Sequence, residues 1–140
     1  MDLIKSQTFV RADGSTLEAD SALSNKELIL IYFSANWCPP SKRFNPILNK
    51  FYDAVANEGV EIINVSWDQS SEAMLNYMKE SHGDWLALKH DSDESKGNEK
   101  TLQKMNTCFR TITNHLFLIK IKQSSIHFRK ICNFLIYLGI

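Results

Sequence analysis

A continuous run of apolar and aromatic residues, LILIYF at residues 28–33, constrains the fold of this chain most. A strand with one face in water alternates apolar and polar residues, whereas an unbroken run is typical of a strand that is buried on both faces. Residues 60–65 (VEIINV) and 116–121 (LFLIKI) predict two further strands. The three runs together indicate a parallel or mixed sheet that helices cover.

Helical periodicity fills the intervals between these strands. The apolar side chains after the first strand recur at steps of four, three and four, and they are Phe44, Leu48, Phe51 and Val55. This helix should end near Gly59, and a second helix is predicted over about residues 72–82. An Asp-Gly pair at residues 13–14 predicts a hairpin near the start of the chain. We therefore predict one α/β domain over residues 1–140, a sandwich with a central mixed sheet flanked by helices.

The composition excludes several classes of protein. The chain has 140 residues, of which 44% are hydrophobic and 23% charged, so wholesale disorder is excluded. No apolar run approaches the roughly 18 residues of a membrane-spanning helix, and the start lacks the pattern of a secretory signal. Three cysteines, an odd number, argue against a disulfide scaffold. We expect a reducing compartment, the cytoplasm or also the nucleus, and no membrane partner.

The charge is divided along the chain although the net charge is zero. Residues 1–99 contain all 16 acidic residues and nine basic ones, for a net charge of −7, whereas residues 100–140 contain seven basic residues and no acidic one, for +7. Because these bases are interleaved with apolar residues, we expect them to compensate the acidic part of the same chain. Contact with an acidic partner or nucleic acid is the alternative.

The residues that can carry chemistry are concentrated in Trp37-Cys38-Pro39-Pro40-Ser41. Cys38 comes directly after a predicted central strand and directly before a predicted helix, and the two prolines fit the first helical turn. Unpaired N–H groups and the helix dipole stabilise a thiolate there, which lowers a cysteine pKa from about 8.5 into the range of roughly 3.5–7.5. A nucleophile of this kind suits thiol–disulfide exchange.

These residues resemble a known family. Tyr-Phe-Ser-Ala at 32–35 and Trp-Cys-Pro-Pro at 37–40 are similar to the thioredoxin superfamily and, within it, to the tryparedoxin/nucleoredoxin branch, whose signature is Trp-Cys-Pro-Pro-Cys. The similarity continues through residues 60–68 and 84–88 and covers about residues 27–93. The resemblance implies a thioredoxin-like fold and a thiol–disulfide oxidoreductase without a cofactor. It also implies protein or glutathione disulfides as substrates and a part in regulating signalling proteins or transcription factors.

Ser41 departs from the family pattern, because the resemblance implies a second cysteine there that resolves the mixed disulfide. A serine cannot do so, although it can donate a hydrogen bond to the Cys38 thiolate. The segment therefore resembles the one-cysteine thioredoxin-related proteins, in which an external thiol must free Cys38. A native serine and a serine that replaces a resolving cysteine are both compatible with the sequence.

The resemblance also implies a groove that binds the target. Trp67 matches a tryptophan that lines this groove, and a partly buried packing role is its alternative. Ile112 and Thr113 fall where the family has an isoleucine and a cis-proline facing the active cysteine. A cis bond before threonine would cost about 2.5–4 kcal/mol, so we expect a trans bond and a rearranged loop. From about residue 107 the chain is atypical of the family.

Two hypotheses of different class follow. The first is a one-cysteine oxidoreductase that uses Cys38 as nucleophile and Ser41 as donor, with a glutathione adduct and a Cys38-linked homodimer as reversible outcomes. The second is a non-catalytic redox-sensing module that dimerises through Cys38 and binds an acidic partner or nucleic acid through residues 100–140. Cys108 and Cys132 are expected to be inert, and the four histidines lack metal-ligand spacing, so no metal site is expected.

Overall fold

The computed structural model of the chain describes residues 7–90 and the backbone of residues 116–120. Within these residues the elements follow one another as β1 (Thr8–Val10), β2 (Thr16–Glu18), α1 (Ala19–Leu23), β3 (Leu28–Ser34), α2 (Pro39–Val55), β4 (Val60–Ser66), α3 (Ser71–Ser81), β5 (Leu86–Leu88) and β6 (Leu116–Lys120). Their alternation confirms the predicted α/β class.

The strands of the described ranges form one mixed sheet in the order β2-β1-β5-β4-β3-β6. The two long strands β3 and β4 are parallel and paired from Leu28 with Val60 to Ser34 with Ser66. β5 continues the parallel part, whereas β6 and β1 pair antiparallel with β3 and β5. All of β3 is buried, as the unbroken apolar run predicted. The carboxyl ends of β3 and β4 therefore lie side by side at one edge of the sheet.

Alternate side chains of β3 enter two different apolar layers. Leu28, Leu30 and Tyr32 pack on the side covered by α2, whose inner face is apolar. Ile29, Ile31 and Phe33 pack on the opposite side with Phe9, Ile63 and the residues of α1. α3 lies beside α2, because side chains of α2 form hydrogen bonds with Tyr77 and with the Ser81 carbonyl. Both faces of the sheet are thus covered, which is why β3 carries no surface pattern.

The ends of α3 lie within one residue of the predicted range, whereas α2 ends at Val55, four residues before Gly59. α2 is followed by a 3-10 turn, Ala56–Glu58, and then by Gly59 in the left-handed region with φ +78°. α3 begins after Ser70, whose hydroxyl accepts a hydrogen bond from the Ala73 N–H and so caps the helix. The Asp-Gly pair lies in a turn between β1 and β2, which confirms the predicted hairpin.

Some features were not predicted, and some predictions fall outside the described residues. α1 and β5 are short elements of five and three residues, too short for a periodic signal. Ile112, Thr113, Cys108, Cys132 and most of the basic segment 100–140 lie outside the described ranges, so the predictions about them stay predictions, as does the single domain over 1–140. None of the described helices is long and apolar enough to cross a membrane.

Candidate active site

Cys38 lies between the carboxyl end of β3 and the first turn of α2. Its backbone is extended (φ −95°, ψ 107°), and Pro39 and Pro40 follow it as the first helical residues. Its N–H donates to the Ala35 carbonyl over 3.0 Å, and its carbonyl accepts the first helical hydrogen bond, from the Lys42 N–H, over 3.2 Å. The Cys38 side chain is half-buried, so that solvent reaches the residue beside the unpaired N–H groups of the helix.

The loop that carries Cys38 is bonded to the loop after β4. The Asp68 carboxylate is buried, and its Oδ1 accepts a hydrogen bond from the Asn36 N–H over 2.9 Å. Its Oδ2 accepts from the Ser66 hydroxyl over 2.9 Å. The Trp67 N–H donates to the Ser34 carbonyl over 2.9 Å. These bonds fix the position of the Cys38 loop relative to the sheet.

Two exposed tryptophans flank the cysteine. Trp37 is 64% exposed and Trp67 is 45% exposed, which is unusual for side chains of this size. The indole Nε1 of Trp37 donates to the Trp67 carbonyl over 3.1 Å and so links the two loops. The pair presents apolar aromatic surface to solvent next to Cys38, a combination typical of a site that receives another molecule.

Ser41 lies on the inner side of α2, one helical turn after Cys38, and is fully buried at 0% exposure. Its hydroxyl forms no hydrogen bond of ordinary geometry with any residue that the structure describes, Cys38 included. Its role as a donor to the thiolate therefore stays a prediction. The burial places the side chain of position 41 inside the protein, one helical turn from Cys38.

A chain of hydrogen bonds continues inward from Ser41. The Tyr32 hydroxyl donates to Asn45 Oδ1 over 2.8 Å, and Asn45 Nδ2 donates to the Tyr77 hydroxyl over 2.8 Å. Tyr32 also lies 3.4 Å from the Ser41 carbonyl. Burial is the main cause that raises the pKa of Tyr32 above its ordinary value, and burial likewise raises the pKa of Tyr77 to about 12. Both phenols are therefore protonated at neutral pH.

His82 closes this polar cluster from the end of α3. Its ring lies edge-on to Tyr77, with 4.6 Å between the ring centroids, and 5.3 Å from the ring of Trp85. Burial lowers the pKa of His82 to about 4, so its ring is neutral at pH 7. His82 therefore adds no charge to this cluster.

The structure brings six of the predicted residues together and adds four that were not singled out. The six residues at the adjacent ends of β3 and β4 are Trp37, Cys38, Pro39, Pro40, Ser41 and Trp67. Asp68, Asn45, Tyr77 and His82 were not predicted as site residues. Asn45 had a signal, because it is a polar residue on the apolar stripe of a helix, four residues after Ser41. The described residues hold no group of three or more potential metal ligands.

Comparison with known proteins identifies the family. The model of the thioredoxin-like family matches residues 25–126, which is more than half of the chain. The chain therefore belongs to the thioredoxin-like family. Probable nucleoredoxin 1 of Arabidopsis thaliana is 38% identical over 88 residues, which are 62% of this chain and 14% of that protein. Other relatives are named tryparedoxin and nucleoredoxin, and the chain matches less than half of the length of each of these curated relatives.

Solved structures confirm the fold. Thioredoxin from Wuchereria bancrofti is 36% identical, with a TM-score of 0.69, and the match covers 88% of this chain and 81% of that one. Thioredoxin related protein 16 of Carcinoscorpius rotundicauda is also 36% identical, with a TM-score of 0.60 and coverage of 84% and 79%. Tryparedoxins are among the further structures that match. The predicted thioredoxin-like fold and the resemblance to the tryparedoxin/nucleoredoxin branch are both confirmed.

Proposed function

We propose that the chain is a one-cysteine thiol–disulfide oxidoreductase in which Cys38 is the nucleophile. The observation that carries this proposal is the placement of Cys38, half-buried at the start of α2 between two exposed tryptophans. A thiol at a helix N-terminus, open to solvent and next to apolar surface, has the features of a group that attacks disulfides of other molecules. Membership of the thioredoxin-like family supports the same reaction.

The reaction balances without a cofactor. The Cys38 thiolate attacks one sulfur of a target disulfide, forms a new bond between Cys38 and that sulfur, and releases the other sulfur as a thiolate. In a two-cysteine protein a second thiol would then attack the mixed disulfide. Since position 41 is a serine, an external thiol must make this second attack. That thiol is oxidised into a disulfide with the target, and Cys38 is released as a thiolate.

The surface beside Cys38 indicates the class of target. Trp37 and Trp67 offer aromatic faces, and the indole of Trp37 is oriented by its hydrogen bond to the Trp67 carbonyl. Such a surface suits an extended protein segment with an apolar side chain near its disulfide. A glutathione disulfide is the smaller alternative, and tryparedoxin II, which has a similar structure, has been solved in complex with glutathionylspermidine.

A regulatory role belongs to the same proposal. A thiol without a resolving partner stays attached to its target or to a second Cys38, so the adduct can persist as a signal. Thioredoxin related protein 16, one of the matching structures, is described with a role in regulating the activity of the transcription factor NF-kB. We accordingly propose redox-regulated proteins, including transcription factors, as partners in the cytoplasm or nucleus. The alternative of a non-catalytic module depends on residues 100–140, nearly all of which lie outside the described ranges.

Trapping of the mixed disulfide tests the proposal. The full chain is incubated with insulin or oxidised glutathione, quenched by alkylation, and analysed by intact mass and peptide mapping. The wild type should accumulate a mixed disulfide at Cys38, and Cys38→Ser should not. Equal adduct formation by Cys38→Ser would overturn the proposal, because it would place the reaction on another cysteine.

Ser41→Cys is the matched variant for the one-cysteine detail. A thiol at the buried position 41 should attack the mixed disulfide from within the protein. The variant should therefore release reduced insulin and accumulate much less adduct than the wild type. If the wild type releases product as fast as Ser41→Cys without added thiol, the dependence on an external thiol is wrong.

A further inference from the structure

Asn45 connects two buried tyrosines on the inner side of the active site. Cys38, Ser41 and Asn45 follow one another at steps of three and four on α2 and so share one face of the helix. Asn45 is buried, accepts a hydrogen bond from the Tyr32 hydroxyl and donates one to the Tyr77 hydroxyl, each over 2.8 Å. Side chains from β3, α2 and α3 are thereby joined beneath Cys38.

The protons of this network can be accounted for one by one. An amide side chain between two hydroxyls can accept a hydrogen bond from one through its oxygen and donate a hydrogen bond to the other through its nitrogen. The proton of the first hydroxyl is then used, and the proton of the second stays available for another acceptor. In the structure Asn45 uses the proton of Tyr32. The hydroxyl proton of Tyr77 has no acceptor among the residues that the structure describes. Ser41 adds a second buried hydroxyl without a partner in the same ranges.

Buried donors without acceptors are unfavourable, so their presence suggests an acceptor that forms during the reaction. The Cys38 sulfur becomes such an acceptor when it ionises. Tyr77 is bonded to Asn45, which shares the helix face of Cys38. Burial is the main cause of the raised pKa of both phenols, and the charge of Cys38 also contributes, after that of Tyr77 in the case of Tyr32 and after that of Asp68 in the case of Tyr77. Ser41 is in the third helical position after the capping residue Cys38, from which a side chain faces the cap.

Among the titratable and charged groups on the elements around Cys38, those next to it in the chain or bonded to its loop or to Asn45 are Lys42 and Arg43 on its own helix, Tyr32 on β3, Asp68 after β4 and Tyr77 on α3. The ring of His82, directly after α3, contacts those of Tyr32 and Tyr77. Lys42 and Arg43 are exposed, Asp68 is held by Asn36 and Ser66, and His82 is neutral. A substitution at Asn45 removes none of these groups.

We propose that Asn45 is a positioning residue for the Cys38 reaction, because it engages one phenol proton and leaves the hydroxyls of Tyr77 and Ser41 as donors toward the Cys38 thiolate. This inference rests on the proposed function and adds how the site favours the ionised sulfur. The inference predicts that the network stabilises the charged form of Cys38 more than the neutral form. Breaking the network should therefore change the pH at which Cys38 becomes reactive.

The pH profile of Cys38 alkylation measures this effect. The full chain is treated with iodoacetamide at a series of pH values, and the modification of each cysteine is followed by peptide mass spectrometry. Tyr77→Phe removes a donor, and Asn45→Leu removes the amide N–H whose bond orients the Tyr77 hydroxyl. Each should move the midpoint of the Cys38 profile upward by about half a unit, which is roughly threefold less thiolate below the midpoint. Asn45→Asp should move it further, because a carboxylate accepts from both phenols and adds a negative charge.

Two matched variants control for loss of structure. Asn49 lies one turn further along α2 and donates to the Ser81 carbonyl over 3.2 Å instead of to a phenol. Tyr52 donates to Glu61 and has no hydrogen bond to Asn45. Asn49→Leu and Tyr52→Phe should leave the Cys38 profile unchanged, which separates a general loss of stability from an effect on the sulfur.

The outcomes separate this inference from the function on which it rests. A folded Tyr77→Phe whose Cys38 profile coincides with that of the wild type overturns the positioning role, even when the wild type forms mixed disulfides normally. An equal shift in Asn49→Leu overturns it as well. A wild type whose Cys38 forms no mixed disulfide refutes the proposed function itself, whatever the alkylation profiles show.

Discussion

The stability of the fold should depend on pH through one buried imidazole. His82 lies against the rings of Tyr32, Tyr77 and Trp85, and neither of its ring nitrogens has a hydrogen-bond partner within the described residues. Its charged form would have to leave water for this aromatic site without compensation. Burial accordingly lowers the pKa of His82 to about 4, from an ordinary value of 6.5.

The sign and size of the effect follow from this difference. Below pH 6.5 the unfolded chain binds a proton at His82 that the folded chain does not bind until about pH 4. The free energy of unfolding should therefore fall as the pH is lowered from 6.5 and level off below 4. At pH 4.5 the loss due to His82 should be about 2–3 kcal/mol, since one unit of pKa corresponds to about 1.4 kcal/mol.

Urea unfolding at pH 7 and pH 4.5 tests this, with His82→Phe as the matched variant. Phenylalanine keeps an aromatic ring in the same contacts and removes both unpaired nitrogens, so this variant should be at least as stable as the wild type at pH 7. Carboxylates contribute equally to the pH dependence of the two proteins. The difference between their losses of unfolding free energy from pH 7 to pH 4.5 is therefore the contribution of His82. Equal losses of stability in wild type and His82→Phe would refute the reasoning.

Two further substitutions test the packing and the buried charges. A Cβ on Gly83 would lie 2.7 Å from the ring of Trp85, which is buried, so Gly83→Ala should lower the free energy of unfolding by about 1–3 kcal/mol, measured in urea. Gly14→Ala is its control, because no atom lies within 4 Å of a Cβ there and the cost comes only from the positive φ of +88°. A loss of stability in Gly83→Ala no larger than in Gly14→Ala would contradict the clash. Lys26 lies 2.9 Å from the buried carboxylate of Glu61, so Lys26→Met should lower the stability by about 3 kcal/mol in the same assay. Adding Glu61→Gln to Lys26→Met should recover part of this loss, and a Lys26→Met protein as stable as the wild type would show that Glu61 needs no partner.

The long elements of the fold could be predicted because their patterns are strong. β3 is buried on both faces and is an unbroken apolar and aromatic run from Leu28 to Phe33, and α2 carries an apolar stripe over 17 residues. β5 could not be predicted in the same way, because three residues, Leu86–Leu88, hold too little pattern to distinguish a strand from a loop. Its place between β1 and β4 is determined by pairing with distant parts of the chain, which local propensity does not record.

The part of the candidate site that is contiguous in the sequence could be predicted. Cys38 and its flanking residues are contiguous, so the strand before them and the prolines after them indicated both the helix start and the thiol. Asp68 and Tyr77 lie on other parts of the chain, and their hydrogen bonds to Asn36 and Asn45 depend on which loops and helices become neighbours in the fold. Sequence alone places them only as residues after a strand and within a helix.

Asn45 shows why a polar residue on an apolar stripe is ambiguous in sequence. The same side chain could face solvent if the helix rotated slightly, or it could be buried with its amide bonded. Only the arrival of hydroxyls from β3 and α3 on both sides of α2 makes burial favourable, because each unpaired amide group in an apolar site would cost about 1–3 kcal/mol. The polar interruption of the stripe is therefore a buried hydrogen-bonded position, and it could be identified as such only once the positions of Tyr32 and Tyr77 were known.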